Sequence, residues 1–168
     1  MRPTERTGVT EPRRPSAGPA PERWRQLVLL VLVVGFVGTL AELLLIGHYE
    51  DRWQFAPLGL GGAVLLALLW YVLSAGGMPV RAVRWLSLLS CASAVAGIVL
   101  HYQANVEWEL ETTPELRGGE LFREAITGAL PLLAPGTMLQ LGLLGLIWTM
   151  RHPRLAAPAT VADHPSES

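Results

Sequence analysis

Glu42, His101 and Asn105 are the residues of this chain that could hold a proton, a cation or a small polar ligand, because each lies in or beside a long apolar run. A charged group carried to the middle of such a run costs about 3 kcal/mol even on lenient insertion scales, so an ionisable residue there marks a candidate site. An imidazole also titrates near neutral pH, which suits a proton carrier. Asn105 follows His101 by four residues and shares its face if a helix continues through both.

A second set lies in the flanking polar stretches: His48, Glu50 and Asp51 after the first apolar run, Glu107 and Glu109 after the third. Imidazole with carboxylates suits a divalent cation such as zinc or manganese. The set has no HExxH-type helical spacing, however, and its ligands straddle two loops. An acidic extracytoplasmic surface accounts for the same residues without a metal, and a Glu42–His101 hydrogen bond that merely locks two helices accounts for the first set without a ligand. No particular cofactor is implied.

The elements that must position these residues follow from composition. Hydrophobic residues make up 51% of the 168 and charged residues 16%, against the quarter usual in a soluble domain. The charges gather at the ends and in two loops. Spans are expected at about 27–47, 55–74, 85–105 and 131–150, each close to the roughly 20 residues that cross a hydrocarbon core. The expected class is therefore all-α, an integral membrane four-helix bundle. Residues 120–130 place Leu121, Phe122, Ala125, Ile126, Ala129 and Leu130 on one face, which predicts either a helix lying at the interface or the start of a long fourth helix kinked at Pro131. Residues 1–22 and 151–168, rich in Pro, Arg, Ala and Ser, are expected to be disordered cytoplasmic tails.

Arginine counts orient this map: ten lie on the side of the termini and three (Arg52, Arg117, Arg123) on the other, which puts both ends inside. Trp24, Trp70, Trp85 and Trp148 all fall at the inner ends of their spans, where indoles favour the headgroup level. Measured from them at about 1.5 Å per residue, Glu42 and His101 differ in depth by about 3 Å. Gly35, Gly38 and Glu42 form one helical stripe, and Ser90, Ala94, Gly97 and His101 another, so both polar groups are expected to face a close-packed interior. The same ruler separates His48 from His101 by about 12 Å, which sets haem ligation by that pair aside.

Cys91 is the single cysteine, so neither a disulfide nor a dithiol redox centre can form. A net charge of -1 gives no handle on nucleic acid. All 13 basic residues are arginine, a composition that fits a GC-rich bacterial genome.

The segments GHYEDRWQFAP, HYQANVEWELE and PLLAPGTMLQLGLLGL resemble a pattern in small four-span bacterial membrane proteins of no assigned function. The resemblance implies a bacterial cytoplasmic membrane and no activity. Three readings then stand: a non-enzymatic subunit or binding module with an outward-facing polar pocket, partnered by the bilayer and by another membrane protein or a second copy; a small proton-coupled transporter using Glu42; and a membrane enzyme with a His and carboxylate metal site.

Overall fold

The computed structural model describes residues 20–131 and 133–156, and every regular element in them is helical. Five α-helices follow in order: α1 (Ala20–Leu45), α2 (Phe55–Leu73), α3 (Met78–Thr112), α4 (Gly118–Ile126) and α5 (Gly136–Thr149), with single 3-10 turns at Arg52–Gln54 and Pro153–Leu155. Three of them, α1, α2 and α3, are long and apolar enough to cross a membrane. The fourth expected span is shorter than its apolar run: α5 has 14 residues and starts at Gly136, not Pro131. Pro131 and Pro135 lack the N–H that a helix through 131–135 would need, so the chain turns there.

Local chemistry sets the remaining ends. Pro21 and Glu22 sit in the first turn of α1, where a missing N–H costs nothing and a carboxylate favours the helix dipole. At its other end Gly47 takes φ +71°, and His48 N–H donates to the Leu43 carbonyl at 2.8 Å while Gly47 N–H donates to that of Leu44 at 3.2 Å. This is a Schellman ending, which needs a residue without a Cβ at the left-handed position. It stops α1 and folds His48 back on the helix. Two of the tail boundaries also move: Ala20–Glu22 belong to α1, and residues 151–156 are ordered. Residues 1–19 and 157–168 lie outside the described residues.

Pairwise packing centres on α3, which lies against α2, α4 and α5, while α1 lies against α2 and α5. The buried apolar side chains are Leu32 and Phe36 of α1, Val64, Ala67 and Leu68 of α2, Val80, Val83 and Ala94 of α3, and Met138, Leu141 and Trp148 of α5. Trp148 is 2% exposed, so it is a core residue, whereas Trp24 and Trp85 are exposed. The tightest seam is α3 on α5. A Cβ on Gly142 would lie 2.8 Å from the Ser87 carbonyl oxygen and 2.6 Å from Cys91 Sγ.

Candidate functional site

One polar seam runs up the face of α3 that carries Ser90, Ala94, Gly97, His101 and Asn105. Gly97 admits Pro135, whose ring carbons would lie 3.0 Å from a Cβ at that position. One turn on, His101 Nδ1 is 3.2 Å from the Pro131 carbonyl oxygen. A carbonyl only accepts, so the neutral ring carries its proton on Nδ1 and leaves the Nε2 lone pair open. One turn further, Asn105 is 1% exposed and fully engaged: its Nδ2 donates to the carbonyls of Ala125 at 3.0 Å and Leu130 at 2.9 Å, and its Oδ1 accepts from Leu130 N–H at 2.9 Å. Gly128 makes room for it, since a Cβ there would stand 2.7 Å from the amide carbon. Asn105 thus fastens α4 and the 127–135 connector to α3. It has no capacity left for a ligand on the donor side.

His48 lies near enough to His101 to feel its charge. Burial, and secondly the His101 charge, hold the His48 imidazole below its ordinary value of 6.5. The depth ruler put these rings far apart because it extended a helical rise past Leu45, whereas the Schellman turn reverses the chain. This end of the bundle therefore carries two imidazoles, His101 on the connector and His48 within range of its charge.

Glu42 does not join it. Among the described residues its side chain makes no hydrogen bond or ion pair, and it is exposed. The inward stripe of α1 runs through Leu32, Phe36 and Leu40, which rotates Glu42 and Gly38 by more than a quarter turn away from α3; a Cβ on Gly38 would touch nothing within 4 Å. Glu42 also lies three residues before the helix end, within reach of polar surroundings without a buried partner. Neither do His48, Glu50, Asp51, Glu107 and Glu109 assemble: no group of three or more His, Cys, Asp or Glu side chains with metal-binding placement exists among the described residues. Asp51 and Glu50 instead present their backbone N–H groups to Gln54 Oε1, at 3.1 and 2.8 Å, and organise the turn before α2. Glu107 and Glu109 ride up the helical extension of α3, away from that turn.

A second cluster, at the opposite end, was not foreseen. Arg154 donates through Nη1 to the carbonyls of Tyr71 and Ser74, at 2.8 and 2.7 Å, and its guanidinium lies 3.9 Å from the Tyr71 ring centre. A cation at the C-terminal carbonyls of α2 satisfies groups that the helix cannot bond itself and meets the negative end of its dipole. Gly77 is needed beneath it, because a Cβ would fall 2.5 Å from the Arg154 carbonyl oxygen. His152, 3% exposed, packs on Tyr71 and Trp148 with ring centres 5.5 and 4.9 Å away. From α1, Arg25 donates to the carbonyls of Trp148 at 3.3 Å and Arg151 at 3.0 Å. The strap 150–156 thereby joins the ends of four helices. The one signal for it in the sequence is His-Pro-Arg directly after an apolar run, which carries no periodicity.

His152 makes the strap sensitive to acid. Its Nδ1 accepts from Arg154 N–H at 3.2 Å, so the neutral ring carries its proton on Nε2, which is buried without a partner among the described residues. Burial first, then the charges of Arg25 and Arg154, hold it below the ordinary 6.5, with Glu22 opposing weakly. A folded value below the unfolded one means that the unfolded chain binds the extra proton. Stability is then level above the unfolded value and falls as pH drops from about 6.5 through the depressed folded value. Thermal unfolding between about pH 8 and about pH 5 should show this fall. His152→Gln should reduce it and leave the share due to His48, and an unchanged slope would remove the strap from the account.

No family model, no curated protein and no solved structure matches this chain.

Proposed function

We propose that this chain is a non-enzymatic bacterial inner-membrane protein, a small binding module or partner subunit, whose four-helix bundle of α1, α2, α3 and α5 crosses the bilayer with both ends inside. The arginine asymmetry supports the orientation. α3, at about 52 Å, exceeds a 30 Å core by about 20 Å, and its acidic extension with α4 forms an outer lobe. Exposed Phe122, Ile126 and Trp108 suit that lobe to the headgroup layer.

The observation that carries the reading is the seating of His101 on the connector, its Nδ1 3.2 Å from the Pro131 carbonyl oxygen, with His48 near enough to feel its charge. Burial and the His101 charge disfavour protonation of His48, so its imidazole offers an unprotonated ring nitrogen to a polar ligand or partner. The exposed setting of Glu42 gives the transporter reading less support, and the scatter of the His and carboxylate candidates among the described residues gives the metal-enzyme reading less.

Histidine-selective NMR of the full chain in micelles tests the pair. His101→Gln should raise the His48 titration midpoint toward, but not fully to, the ordinary value, because burial remains. A His48 midpoint indifferent to this change ends the proposal. In the same preparation scheme, Thr113→Cys in a Cys91→Ser background should react with an impermeant maleimide on intact spheroplasts. Labelling only after lysis would reverse the orientation.

A further inference from the structure

We propose that the inner seam between α1 and α5 is a binding site for an anionic phospholipid of the cytoplasmic leaflet. The inference rests on the membrane reading above. A groove of about 200 Å³ opens there, lined by Trp24, Arg25, Val28, Ile147, Trp148 and Met150. Its walls are apolar and its single charge is Arg25.

Arg25 is the group that selects the ligand. A guanidinium has five N–H donors in a planar fork. The structure engages two nitrogens, Nη1 on the Trp148 carbonyl and Nη2 on the Arg151 carbonyl, which fixes the side chain across the seam and leaves further donors unbonded among the described residues. Arg151 stands at φ +47°, in the left-handed region, at the point where the chain leaves α5 for the strap. Arg151 and Arg154 of the strap lie on this side with Arg25, and among the described residues Glu22 is the carboxylate whose charge reaches the same cluster. No carboxylate lies within 4.0 Å of the Arg25 guanidinium; the one such ion pair among the described residues is Arg123 with Glu124.

The occupant follows from this combination. A fork of donors in a positively charged setting takes a phosphate. An adjoining apolar groove between two helices takes an acyl chain, and Trp24, 68% exposed at its rim, suits the boundary between headgroup and chain. Free phosphate would satisfy Arg25 and leave the groove empty. A zwitterionic lipid would fill the groove but bring a cation to the arginines. An anionic phospholipid satisfies both.

The full chain, reconstituted in vesicles of equal phosphatidylglycerol and phosphatidylcholine and then re-extracted in mild detergent, should retain phosphatidylglycerol about fivefold over phosphatidylcholine. That enrichment is the equivalent of about 1 kcal/mol for one arginine at a membrane surface. Ile147→Trp fills the groove and leaves Arg25 and its two carbonyls in place, and should bring the ratio near one without loss of folded protein. Arg25→Gln should do the same, with some loss of stability from the strap. Equal retention of the two lipids in the wild type, or enrichment that survives Ile147→Trp, would overturn the site. Displacement by inorganic phosphate alone would assign it to a free anion. Release of the protein from membranes by alkaline carbonate would instead sink the membrane reading, whatever the lipid ratio.

Discussion

Asn105→Ala should detach the outer lobe from α3 and cost the protein roughly 3–5 kcal/mol, the largest loss expected from a single polar substitution. The change leaves the Leu130 N–H and the carbonyls of Ala125 and Leu130 without their partner in a site 1% exposed. Each stranded group costs about 1–3 kcal/mol, less than additively where one water can enter and serve two of them. Asn105→Asp is not a rescue, because it accepts from Leu130 N–H but cannot donate to either carbonyl. Thermal unfolding reads the loss, and hydrogen exchange locates it: amides of 118–135 should exchange faster while those of α2 stay protected. Protection unchanged in 118–135 would show that the connector is held by something other than Asn105.

Gly142→Leu should prevent α5 from docking altogether. The atoms that a side chain would meet include α3 backbone, at the Ser87 oxygen and the Cys91 nitrogen, 2.8 and 3.1 Å from the Cβ position, and these cannot step aside as a side chain can. Even Gly142→Ala should cost about 1–3 kcal/mol as overpacking. The matched control is Gly59→Ala in α2, where a Cβ meets nothing within 4 Å and helix propensity favours alanine by about 1 kcal/mol. The two alanine variants should therefore shift the melting temperature in opposite directions. Equal shifts would mean that α3 and α5 are not in close contact.

The face of α3 was legible because small or polar residues recur at three- and four-residue spacing from Ser87 to Asn105, over five helical turns. A stripe of that length leaves one solution. In α1 the stripe of Gly35, Gly38 and Glu42 covers two turns of a helix that is apolar on every side, and the packing follows the large residues Leu32 and Phe36 instead. Gly35 does mark a close approach, to Leu141 of α5, but Gly38 meets nothing within 4 Å, so the two glycines do not define one packed face. The fourth apolar run is helical from Gly136, but residues 133–135 before it form a turn, because the prolines at 131 and 135 outweigh hydropathy. Trp148 shows the limit of composition arguments: an indole at the end of a span suits a headgroup layer or a core equally, and only the arrival of Tyr71 and the strap decides between them. The strap itself and the placing of His48 depend on chain reversals after a helix end, where no periodicity exists to read.

The contact of Arg154 with Ser74 joins residues 80 apart in the chain. At cellular synthesis speeds of about 5–20 residues per second, roughly 4–16 s separate the birth of α2 from that of its capping arginine. Through that interval the last carbonyls of α2 must be served by water or by lipid headgroups, and the inner ends of the helices stay unlocked. Closure comes only after every helix has been made, so a chain interrupted before Arg154 carries all its apolar segments and none of the lock. The strap thus divides chains that have reached Arg154 from those that have not, and only the latter leave the Tyr71 and Ser74 carbonyls without that cation.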